Sequence, residues 1–132
     1  MRKKHLVDIS KIDALERLQY YEDYADEIAN DIQKLETERN NSERRIMLNE
    51  IKEKYRKIKS ELNEDLKELS KYETTGIAAG FFEPAITDML HNSTLLPINH
   101  VSFNNLRKLY SSIYEIRYYA RYWKNRLEDI EE

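Results

Sequence analysis

Tyrosine and arginine crowd one stretch near the end of this chain, in a spacing that suits recognition chemistry. Tyr110, Tyr114, Arg117, Tyr118 and Arg121 follow one another at i, i+4, i+7, i+8 and i+11, with Tyr119, Tyr122 and Arg126 alongside. On an α-helix that spacing gathers them on one side. Tyrosine supplies a flat, amphipathic ring, and arginine supplies a rigid fork of donors that stacks on rings and grips carboxylate or phosphate. Between Ser102 and Arg126 the basic residues are Arg107, Lys108, Arg117, Arg121, Lys124 and Arg126, against the single acid Glu115.

The same chemistry serves two kinds of partner. A protein would be held by tyrosines as anchors, with its own acids meeting the arginines; an unpaired nucleic acid would stack its bases on tyrosine and lay its phosphates on arginine. Two features weigh against nucleic acid. The 22 basic residues are outnumbered by 25 acidic ones, for a net charge of −3. Glu128, Asp129, Glu131 and Glu132 also end the same stretch, where they repel phosphate and lie at the negative end of a helix dipole. A third reading is intramolecular, with acids of other helices taking up the arginines and the tyrosines widening the core.

Catalytic signatures are missing from the motifs. Asp88 and His91 are one helical turn apart and His100 follows, but no HExxH or Glu-x-x-His pair joins them into a metal set. Gly76-x-x-x-Gly80 has no Lys-Ser or Lys-Thr after it and so reads as close backbone packing rather than a phosphate loop. No G-x-S-x-G elbow occurs. Absence of cysteine removes thiol catalysis and fits a reducing, cytoplasmic setting. We therefore assign no catalytic, cofactor-binding or metal-ligating residue; a small enzyme would need a concave site of convergent polar groups.

The elements that must position the tyrosines are helices. Two glycines and two prolines in 132 residues, with 36% charged residues, favour long helices over strands. From Ala14 an apolar seam runs through Leu18, Tyr21, Ala25, Ile28, Ile32 and Leu35, alternating steps of four and three. A second seam, Leu48, Ile51, Tyr55, Ile58, Leu62, Leu66 and Leu69, is out of phase with the first. A turn at Asn40 and Asn41 would set Leu35 opposite Leu48 and Tyr21 opposite Leu62, so an antiparallel hairpin is preferred to one continuous rod. The third seam is Leu106, Leu109, Ile113, Ile116, Ala120, Trp123, Leu127 and Ile130.

The spacing predicts a single helical domain over 1–132, comprising a basic lead 1–9 and helices at 10–37, 42–73, 84–92 and 102–130. Asp8 or Ser10 would cap the first helix, Ser42 the second, Gly76 would end the second, and Pro84 would open the short third. The fold class is all-α, a long antiparallel hairpin plus a short and a long helix in a three- to four-helix bundle. No run nears the roughly 20 apolar residues that span a bilayer, so no membrane is expected. The function expected is a non-catalytic interaction module with coiled-coil-like seams, an adaptor, inhibitor or assembly subunit. It would offer Tyr110, Tyr114, Arg117, Tyr118 and Arg121, together with an apolar patch at Phe81 and Phe82, to a protein partner, and form a homodimer or higher homo-oligomer. A small nucleic-acid-binding protein is the alternative.

Overall fold

The computed structural model describes residues 5–92 and 95–131, so the first four residues of the basic lead lie outside the described residues. Helix α1 spans Lys11–Thr37 and α2 spans Asn41–Ser70. Ser10 caps α1 by accepting the Asp13 N–H at 3.0 Å, satisfying one of the donors a helix start leaves open. The hairpin is antiparallel, in the register the seams imply. Lys54 reaches Asp31 at 2.6 Å and Glu27 at 3.5 Å, while Arg17 reaches Asp65 at 2.9 Å, which sets Ile28 opposite Tyr55 between them.

The cap of α2 differs from expectation. Asn40, in extended conformation, accepts the Glu43 N–H at 3.0 Å, and Ser42 falls inside the first turn. The tight turn is braced by Arg44, whose guanidinium donates to the carbonyls of Leu35 at 3.2 Å and Glu38 at 2.9 Å. Both lie at the end of α1, where carbonyls run out of helical partners; the Leu35 carbonyl also accepts the Glu38 N–H at 3.3 Å.

At the other end of the bundle, β1 (Leu6–Val7) pairs in parallel with β2 (Glu73–Thr74). This short ladder was not expected. It forms because the lead into α1 and the exit from α2, which stops at Ser70 rather than 73, run past the same end; His5 and Val7 carbonyls accept the N–H groups of Glu73 and Thr75, each at 2.9 Å. Gly76 does adopt the left-handed φ of 55°, but six residues beyond α2. An added Cβ there would lie 2.1 Å from Asp8 Oδ2. Asp8 in turn accepts the N–H of Ala78 at 2.9 Å, capping the next helical run instead of α1.

That run is α3 (Glu83–Thr87) between two wide π-helical turns, Ala78–Phe82 and Asp88–Asn92. Pro84 therefore lies inside the run and does not open it. The wide turn before it, in which Glu83 N–H bonds back to Ala78, suits a ring that has no N–H to give and would crowd a normal turn. Gly80 faces open space, with nothing within 4 Å of an added Cβ, so the close approach expected at both glycines holds only at Gly76.

Helix α4 (Leu106–Glu128) starts after a single 3-10 turn at Phe103–Asn105, later than predicted. It runs antiparallel to α1, completing an up-down-up-down bundle. The core is one cluster that draws Leu18, Ile28 and Leu35 from α1, Ile51, Tyr55 and Leu62 from α2, Ile86 and Met89 from the third run, and Leu109, Ile113 and Ile116 from α4. Small residues on the facing helices, Ala25, Ala29, Ser112 and Ala120, are all buried and let α1 and α4 lie closely together. The crossover into α4 is stitched down as well: Tyr55 Oη donates to the Leu96 carbonyl at 2.6 Å, and Leu96 N–H donates to Ser112 Oγ at 3.0 Å. Burial pushes the Tyr55 phenol up to about 12. Among the described residues no helix is long and apolar enough to cross a membrane.

Candidate functional site

The expected seam is turned inward from Leu106 to Leu127, while Ile130 lies past the helix end at Glu128 and is exposed; α4 has two other sides, and the structure gives them different work. The flank toward α1 is ionic. Arg117 donates to Asp26 at 2.7 Å, Arg121 Nε to Glu22 at 2.8 Å, and Lys124 to Glu22 at 2.6 Å and Gln19 at 2.8 Å. Glu22 is buried, at 5% exposure. Burial by itself raises a carboxyl pKa, but the donors of Lys124 and Arg121 outweigh it and hold Glu22 below the usual range. The arginine half of the predicted Tyr/Arg stripe is thus taken up largely by α1. Arg121 keeps about half of its side chain open, at 49%, and Arg126 is exposed.

The outward side is aromatic. Tyr114, Tyr118 and Tyr122 are 52%, 54% and 40% exposed on consecutive turns. The Tyr118 and Tyr122 rings lie nearly parallel, at 16° and 6.3 Å between centroids. Tyr119 meets Tyr118 edge-on at 5.3 Å, and Trp123 meets Tyr122 edge-on at 5.4 Å. Arg126 lies 5.5 Å from both the Tyr122 and Trp123 rings, and Arg117 lies 5.7 Å from the Tyr114 ring. Such ring and cation contacts fix the tyrosines as a rigid strip rather than leaving them as loose tails. Tyr110, counted with them on spacing, is half-buried against the core.

The Phe81 and Phe82 patch is not an exposed surface. Phe82 is buried at 5%, and Phe81 is half-buried with its ring edge-on to Trp123 at 6.4 Å. The bundle has room for them because the helical run from Ala78 to Asn92 is longer than the short helix expected and closes the gap between α2 and α4. Trp123 is fastened to that run through its indole N–H, which donates to Asp88 at 2.6 Å. Asp88 is therefore a structural acceptor, while His91 and His100 are exposed. Among the described residues no group of three or more His, Cys, Asp or Glu is placed to hold a metal ion.

Sequence reasoning missed a second polar cluster, on the seam between α1 and α2. Tyr21 Oη donates to Asp65 at 2.5 Å, and Arg17 bridges Asp65 and the Tyr21 hydroxyl. Burial first, and then the Asp65 carboxylate, raise the Tyr21 phenol well above its usual value. The signal that could have found it is Arg17 falling one helical turn before Tyr21 with Asp65 opposite in the hairpin register. Arg17, Tyr21 and Asp65 satisfy one another and so hold the two helices together. No protein-family model matches this chain, and neither a curated protein nor a solved structure does.

Proposed function

We propose that this chain is a non-catalytic interaction module, an adaptor, inhibitor or assembly subunit, that binds protein through the outer face of α4. Tyr114, Tyr118 and Tyr122 are the anchors, with Arg126 and the open half of Arg121 at their margins. The observation that carries this reading is the exposure of three braced tyrosines on successive turns of a helix whose opposite face is buried at Leu106, Leu109, Ile113, Ile116, Ala120 and Leu127. Tyrosine brings large contact area at little loss of side-chain freedom, and rigid aromatic anchors dominate interface energetics. The exposed tyrosines are spread along successive turns rather than converging on a point, which supports binding over catalysis.

The nucleic-acid alternative is weakened by the flank. Arg117, Arg121 and Lys124, half of the six basic residues of this stretch, are committed to acids of α1, and Glu128, Asp129 and Glu131 follow directly. The test places a photo-crosslinking amino acid at position 118, with position 64 on the exposed side of α2 as control, in the native cell. Position 118 should join to protein and position 64 should not. Silence at both positions, or equal joining from both, overturns the reading.

A further inference from the structure

The outer side of α4 carries a seam of its own. Arg107, Ser111, Tyr114, Tyr118, Tyr122, Asn125 and Asp129 are all exposed, and their steps are 4, 3, 4, 4, 3, 4, the same read from either end. The repeat is eleven residues on each side of Tyr118, close to three turns of an α-helix, so the row drifts only slightly from one face over its length. Asp129, one residue past the helix, keeps helical backbone angles of φ −77° and ψ −7°.

The chemistry is symmetric as well as the spacing. Turned end over end about Tyr118, the row sets Tyr114 against Tyr122, Ser111 against Asn125, and Arg107 against Asp129. Flanking Lys108 comes opposite Glu128, and both are exposed. Each like pair is apolar or hydrogen-bonding, and each charged pair is opposite in sign. The charges also stand at the wrong ends for an isolated helix, since cations sit near its positive N-terminus and acids near its negative C-terminus. An antiparallel copy corrects both ends at once.

We infer that the partner of this face is a second copy of the chain, docked antiparallel with its two-fold axis at Tyr118 and with Arg107 of each copy meeting Asp129 of the other. This rests on the reading of the α4 outer face as a contact surface and names the partner. The three tyrosines bring about 300 Å² of exposed ring surface per copy, at roughly 200 Å² for a whole side chain. That is a small interface, so the dimer is weak and its population rises with protein concentration.

The experiment is sedimentation equilibrium of the pure chain, compared with R107D, D129R and the double variant. Each single change places like charges at both ends of the dimer and weakens it by about tenfold. The double change exchanges the charges and restores dimerisation, and an equimolar mixture of the two single variants dimerises more tightly than either does alone. A second measurement guards against misfolding and uses the absence of native cysteine. Oxidation should join Ser111→Cys to Asn125→Cys when the two are mixed, while Ser111→Cys should not join to itself, because those positions lie about 21 Å apart along the paired helices. Monomer at every concentration, or dimer unmoved by the charge exchanges, overturns the inference. If the pure chain stays monomeric while position 118 still joins to another protein in cells, the contact-surface reading stands and this inference alone falls; silence in both experiments ends both.

Discussion

Replacing Glu22 by glutamine tests whether α1 and α4 are held by a buried ionic stitch. The carboxylate accepts Arg121 Nε at 2.8 Å and Lys124 Nζ at 2.6 Å, and the Lys124 side chain is only 14% exposed. Glutamine keeps the shape and removes the charge, leaving a lysine cation in a dry place beside a neutral amide. Removing one partner of a buried pair costs roughly 3–5 kcal/mol; because Arg121 is half in solvent and contributes little, the loss expected here is about 2–3 kcal/mol. For a domain of this size that lowers Tm by roughly 10 °C.

The pH dependence has a definite sign. Because Glu22 sits below its ordinary value of 4.5, its stabilisation is fully present above that pH and is lost as pH falls through the lower folded value. Urea unfolding of wild type and Glu22→Gln at pH 7 and again near pH 3 should therefore show a large gap at neutral pH that narrows in acid. Replacing Glu22 and Lys124 together by apolar residues should recover most of the loss. A gap below about 1 kcal/mol at pH 7 would refute the reasoning. It would mean that the α4 cations are available to a partner instead of being spoken for by α1.

Other perturbations probe the joints that position α4. Gly76→Ala combines a left-handed φ with a Cβ 2.1 Å from Asp8 Oδ2 and should destabilise by about 2 kcal/mol or more, whereas Gly80→Ala, with open space around it, should stabilise by roughly 0.5–1 kcal/mol; thermal melts of both read the contrast. Asn40→Ala should cost about 1 kcal/mol by chemical denaturation, and Ser42→Ala, inside the first turn, nearly nothing. Tyr55→Phe removes the buried donor to the Leu96 carbonyl and should lose about 1–2 kcal/mol, with faster amide exchange in the connector before α4.

Helical periodicity made the hairpin legible, because the apolar positions of two antiparallel helices match only when the turn is placed near Asn40. The inward seam of α4 was legible for the same reason. What spacing could not carry was anything decided by residues distant in the chain. Asp8 looks like a cap for α1, and only the fold reveals that it serves Ala78, 70 residues on. Asn40 and Ser42 are equally good caps by type, and the backbone conformation of the turn chose between them. The arginines of α4 were correctly placed on one side of the helix, yet their partners depend on which helix lies next to that side. Glu22, Asp26 and Gln19 settle this by lying on the α4 side of α1. Phe82 looked surplus because the helical run around Pro84 is longer than a proline at its start implies. Spacing placed Tyr114 and Tyr118, with Tyr122 beside them, away from the seam of α4, but their exposure depends on the packing of the other helices, which leaves that side uncovered.

The most direct test of the account is hydroxyl-radical footprinting of the tyrosines, comparing the native cell extract with the dilute purified chain. Tyr114, Tyr118 and Tyr122 should be protected in the extract while Tyr72, two residues past the end of α2, labels equally in both. Equal labelling of all four would contradict the claim that the outer face of α4 is an interface.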